Sequence, residues 1–116
     1  MSHRSPITTH VLDTATGRPA AGVAVRLECK NEAGQWTQLA EGVTDADGRI
    51  LDLLAAGRLT VAVYRLTFAT GEYFQKSGTD GFYPEVTVVF EIRQPDEHYH
   101  VPLLLSPFGY STYRGS

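Results

Sequence analysis

The chain has 116 residues, 42% of them apolar and 20% charged, which fits one globular domain with its own core and excludes a disordered chain. Ten Lys and Arg against thirteen Asp and Glu leave a formal charge of −3, so the basic stripe that a nucleic-acid partner requires is missing. No stretch approaches the roughly 20 apolar residues of a membrane helix, and the opening MSHRSPITTH holds no apolar run of the signal-peptide kind. A cytoplasmic location is the default expectation.

Residues 1–6 precede the first patterned stretch and are expected to be flexible. Ile7–Asp13 alternates as a strand and is followed by the turn-rich TATGRPAAG. Val23–Asn31 places Val23, Val25, Leu27 and Cys29 on one face, with Arg26, Glu28 and Lys30 on the other. Cys29 is the only cysteine, so it has no internal disulfide partner, and its place in the apolar set makes it a buried small hydrophobe rather than a nucleophile. Gln35–Thr44 carries Trp36, and DADG at 45–48 is a tight turn. Leu59–Phe68 is rich in β-formers. TGEYFQKSG (70–78) has few β-branched residues, opens on a Thr able to cap a helix and closes on Gly, so it is expected to form a short helix of about two turns. Val86–Arg93 turns Val86, Val88, Phe90 and Ile92 inward. His98–Leu105 follows a QPDE turn, and SPFG reverses the chain into Tyr110–Arg114. Seven or eight short strands with one short helix describe an all-β sandwich in a single domain over 1–116.

Strand period decides which polar groups can meet. Tyr99, Val101, Leu103 and Leu105 share one face of their segment, while His98, His100, Pro102 and Leu104 share the other. His10 lies with Thr8 and Leu12, opposite Val11. A face that mixes histidines with Leu and Pro is partly apolar and suits packing against another subunit. Four positions stand out for chemistry: His10, Arg49, His100 and Ser116. Imidazoles titrate near neutral pH and can act as base and acid, while a guanidinium keeps its charge and can hold carbonyl oxygens. Taken singly, each also has a structural explanation: a strand histidine in a packed site, a solvated arginine after a turn, a frayed end. His98 and His100 at i and i+2 also have the geometry of some zinc sites, with His10 as a third ligand, but no Cys or paired carboxylate supports a metal. There is no Gly-rich phosphate loop and no GxSxG elbow. His3 and Arg65 read as solvated surface.

Three segments in order carry a resemblance. ITTHVLDTATGRPAAGVAV (7–25), TDADGRI (44–50) and HYHVPLLLSPFGYSTYRGS (98–116) look like the N-terminal, arginine and C-terminal signatures of the 5-hydroxyisourate hydrolases, the transthyretin-related enzymes of urate breakdown. The resemblance spans nearly the whole chain and shows no departure at the motif positions. It implies a transthyretin-type β-sandwich of eight strands plus one short helix, assembled as a homotetramer with active sites where two dimers meet. It also implies a purine-derived substrate whose six-membered ring is opened by water at a cyclic amide, without metal or cofactor. By motif position, His10 in THVLD, Arg49 in DGR, His100 in YHVPL and Ser116 ending YRGS are the implied catalytic residues. Tyr113 and Arg114 from the same tail would bind substrate, with His98 at the rim. The rival is a transthyretin-like carrier holding an aromatic molecule between subunits; that carrier shares the fold but lacks the YRGS ending and this histidine set. A structural module of a larger assembly is a third reading.

Overall fold

The computed structural model describes residues 5–116. Alternation over the first segment becomes strand β1 (Ile7–Asp13), whose inward set Ile7, Thr9, Val11 and Asp13 is buried. Two short strands, β2 (Arg18–Pro19) and β5 (Arg49–Ile50), pair antiparallel with β1 along one side. On its other side β1 runs parallel to β8 (Tyr99–Ser106), which in turn pairs antiparallel with β9 (Gly109–Thr112). The second sheet has the order β4 (Trp36–Val43), β3 (Ala24–Lys30), β6 (Ala62–Phe68), β7 (Val86–Ile92). Apolar side chains of both sheets, among them Val11, Leu27, Leu66, Phe68, Ile92 and Leu103, fill the layer between them with almost no exposure. The result is the transthyretin-type sandwich expected, with seven strands of four or more residues and two of two residues.

Helix α1 (Thr70–Lys76) matches the expected position, but its start differs. Ala69 is the N-cap, without a side-chain cap; the buried Thr70 hydroxyl instead donates to the Tyr83 carbonyl at 2.9 Å. The end is a glycine turn: Gly78 at φ +70 lets its own N–H reach the Gln75 carbonyl and Thr79 reach back to Phe74. Tyr73 ties the helix to β1 by donating to Asp13 Oδ2 at 2.7 Å. Burial, reinforced by that carboxylate, pushes the phenol up to about 12.

Several expectations are revised. Ser5, assigned to a flexible segment, is buried and donates from Oγ to the Ile7 carbonyl at 2.6 Å; residues 1–4, His3 included, lie outside the described residues. Cys29 is half-buried, not enclosed, because it sits near the end of β3. Arg65 is no solvated side chain: its Nε donates to Glu28 at 2.8 Å and its guanidinium lies 4.2 Å over the Trp36 ring. β6 begins at Ala62 rather than Leu59, whose N–H goes instead to the Pro95 carbonyl. Among the described residues, no helix is long and apolar enough to cross a membrane.

Candidate active site

Two strand pairings gather the candidate groups. Across β1 and β5, His10 is the register partner of Arg49, which puts the two side chains side by side on the sheet. Across β1 and β8, Thr8 is the partner of His100 and His10 that of Pro102. Strand spacing and rise then place the His10 and His100 Cα atoms about 8 Å apart. His10, His100, Leu12 and Leu104 are half-buried and Arg49 is exposed, so this is an outer sheet face, opposite the core.

The DADG turn delivers Arg49 to its place. Asp45 Oδ1 accepts the N–H groups of Asp47 and Arg49, at 2.9 and 3.0 Å, and bends the chain back. Gly48 has φ +75, and a Cβ there would lie 2.4 Å from the Val11 carbonyl oxygen, so only glycine lets the turn press onto β1. The Val11 N–H seals the contact by donating to the Gly48 carbonyl at 2.7 Å. Among the described residues, Arg49 has no carboxylate partner.

The tail is pinned. Thr112 donates from Oγ1 to the Pro102 carbonyl at 2.7 Å, and Gly115 N–H donates to the His100 carbonyl at 2.8 Å. A Cβ on Gly115 would stand 2.6 Å from His100 Cδ2, so the tail lies against the imidazole with no room between them. The next residue, Ser116, is exposed. Arg114 leaves the strand on the other side: it pairs with Glu97 at 2.9 Å and its guanidinium lies 4.4 Å over the ring of Tyr99, a member of the inward set. That carboxylate, through its hydrogen bond, holds the guanidinium more firmly protonated than usual. With Tyr113, Arg114 lines a cleft of about 310 Å³ between β7 and the tail, walled by Val88, Phe90, Tyr99 and Val101. The chain therefore brings together His10, Arg49, His100 and Gly115, with Ser116 next in sequence. It places Tyr113 and Arg114 in a separate edge cleft.

His98, expected at the rim, joins His100 through a third residue. One nitrogen of each ring, His98 Nε2 and His100 Nδ1, meets Thr8 Oγ1 at 3.0 and 2.8 Å. Among the described residues, no group of three His, Cys, Asp or Glu is placed to hold a metal ion. Thr8, Gly48 and Gly115 are the contributors that residue-type reasoning passed over. For Thr8 the only signal was its shared face with His10.

A sandwich that presents two imidazoles and a guanidinium on the outer face of one sheet, with the tail laid along that face, is a transthyretin-type scaffold equipped for acid–base chemistry. The chain belongs to the HIUase/Transthyretin family, whose family model matches residues 7–115. It is 53% identical over 110 residues to the 5-hydroxyisourate hydrolase of Salmonella typhimurium, covering 95% of this chain and 80% of that one. The crystal structure of sea bream transthyretin in complex with thyroxine matches with a TM-score of 0.89 at 39% identity, covering 96% of this chain and 95% of that one. The Klebsiella pneumoniae 5-hydroxyisourate hydrolase structure matches with a TM-score of 0.82 at 41% identity, covering 95% and 98%.

Proposed function

We propose that the protein is a 5-hydroxyisourate hydrolase of urate degradation. The relative from Salmonella typhimurium bears that name at 53% identity, and the observation that carries the reading is the register that sets His10 beside Arg49 and one diagonal step from His100. Overall shape alone does not separate enzyme from carrier, since the transthyretin structure superposes at least as well as the hydrolase. The sheet face does, because a carrier of an aromatic ligand has no need of two imidazoles and a guanidinium.

The reaction adds water to a ring amide. A C–O bond forms at the carbonyl carbon, charge gathers on its oxygen, the C–N bond breaks, and the nitrogen takes up a proton. Arg49 holds the carbonyl oxygens in two hydrogen bonds and stabilises the developing charge. His10 and His100 divide the removal of a proton from water and its return to the leaving nitrogen. Ser116 orients the substrate with its hydroxyl, and Tyr113, Arg114 and His98 bound the pocket. Neither a metal nor a covalent intermediate is required, so dialysis against a strong chelator is expected to leave turnover unchanged.

The outer face of a sheet has no opposite wall. We place the second wall on a neighbouring copy, in a homotetramer whose sites lie where two dimers meet, which also covers the half-buried Leu12 and Leu104. In such an assembly the edge cleft holding Tyr113 and Arg114 can serve a neighbour's site. A cytoplasmic location belongs to the same reading.

The deciding experiment follows the ultraviolet decay of freshly generated 5-hydroxyisourate with catalytic amounts of protein. Accelerated decay with many turnovers per subunit is expected. Binding without consumption would favour the carrier instead, and no effect at all would leave only a structural role.

A further inference from the structure

Thr8 is an unusual residue to find on the histidine face: its side chain is polar, yet it is only 1% exposed. Its hydroxyl oxygen lies 2.8 Å from His100 Nδ1 and 3.0 Å from His98 Nε2. The two rings are nearly parallel, 18° apart, with centroids separated by 6.4 Å. β1 brings the hydroxyl there because Thr8 is the register partner of His100 in the parallel pairing, while His98 reaches it from one step before the start of β8.

The proton count follows from chemistry. A hydroxyl has one proton to give and two lone pairs to offer. Buried as it is, Thr8 has no access to bulk water, and among the described residues the two ring nitrogens are its only hydrogen-bond partners. Its proton therefore goes to one ring, and the other ring must give its own N–H to Thr8. The two facing nitrogens hold opposite protonation states.

We propose that Thr8 and His98 are positioning residues for the hydrolysis: together they clamp the His100 ring through Nδ1 and set which of its nitrogens carries the proton. His100 Nε2, on the far side of the ring from the clamp, is the atom assigned to water or substrate. When Thr8 donates to Nδ1, a neutral His100 carries its proton on Nε2 and can donate a hydrogen bond to a substrate oxygen or nitrogen. When Nδ1 carries the proton and donates to Thr8, Nε2 presents a lone pair and can act as a base. The state of His98 selects between the two, so one imidazole controls the role of the other. The consequence for turnover rests on the hydrolase reading; the coupling of the two rings does not.

Two-bond nitrogen–hydrogen spectra of the imidazoles, recorded on the full chain without substrate, test the coupling directly. Opposite protonation at His98 Nε2 and His100 Nδ1 is expected, and the same state at both would overturn the proposal. Thr8→Val keeps the shape and removes the hydroxyl. It is expected to change the His100 Nδ1 signal and lower kcat about ten- to a hundredfold with KM nearly constant, as loss of a supporting hydrogen bond behind an active group does. Thr8→Ser should restore both. If the valine variant does not fold, His98→Phe removes the other ring nitrogen facing Thr8 and should also change the His100 Nδ1 signal; an unchanged signal there refutes the proposal. A wild-type chain that shows the coupled spectrum but leaves 5-hydroxyisourate unconsumed would sink the hydrolase reading and spare the coupling.

Discussion

The two outer faces of the sandwich each present an arginine opposite a strand partner, and they treat it differently. On the second sheet Arg65 faces Glu28 in register; its Nε reaches the carboxylate at 2.8 Å, Arg26 adds a second contact at 3.4 Å, and Trp36 covers the guanidinium. Hydrogen bonding from Arg65, with help from Arg26, holds the Glu28 carboxyl below its usual range. On the first sheet Arg49 faces His10, and among the described residues no carboxylate answers its charge. One face satisfies its charges within the chain; the other leaves a guanidinium that the proposed reaction would use for substrate oxygens. Charge of the first kind is structural, and charge of the second kind is what the proposed hydrolysis calls on.

The contrast can be broken most sharply by exchanging which arginine is removed. Arg49→Ala should lower kcat/KM by about 10²- to 10³-fold, the loss seen when one donor to a developing oxyanion is deleted, with the unfolding midpoint almost unmoved. Equal activity in that variant would mean that Arg49 is ordinary surface. Gly115→Ala should act next most strongly. Its methyl group would collide with the His100 ring, and if that imidazole acts as proposed, its displacement should reduce kcat roughly ten- to a hundredfold. If steady-state rates survive, the tail is not part of the site's wall.

The smallest effects belong to the second sheet. Arg65→Ala should leave turnover intact and destabilise the fold by about 1 kcal/mol or less, since this pair is partly exposed. The pH dependence has a definite sign. Because the folded-state value of Glu28 lies below its unfolded value, its contribution is fully present above the unfolded carboxylate range and is lost as pH falls through the folded value. Glu28→Gln should therefore flatten the acid limb of a plot of stability against pH. An acid limb identical to wild type would show that the pair contributes nothing measurable.

Much of this was legible in the chain itself. The inward set Tyr99, Val101, Leu103 and Leu105 is buried throughout, because a period of two puts alternate residues on one face whatever the strand's neighbours are. The helix at 70–76 was legible from its lack of β-branched residues and its terminal Gly78. Its start was misread because a threonine before a helix caps only when its backbone lies outside the helix, and here Thr70 is already inside. Arg65 was misjudged because its partners, Glu28 and Trp36, come from strands more than 25 residues away in sequence. Thr8 was missed for the same reason: its ring partners are 90 and 92 residues distant.

Alternation of apolar and polar side chains by itself determined the architecture, the inward faces and the side on which His10, His98 and His100 would emerge, since those follow from local backbone geometry. Only the tertiary structure decided that β1 runs parallel to β8 and antiparallel to β5, and in what register. That pairing, stabilised by burial of Ile7, Val11, Val101 and Leu103 between the sheets, brings His10 beside Arg49 and Thr8 between two imidazoles. A register slip of one residue would turn these groups toward the core, so their meeting depends on the core permitting only one alignment.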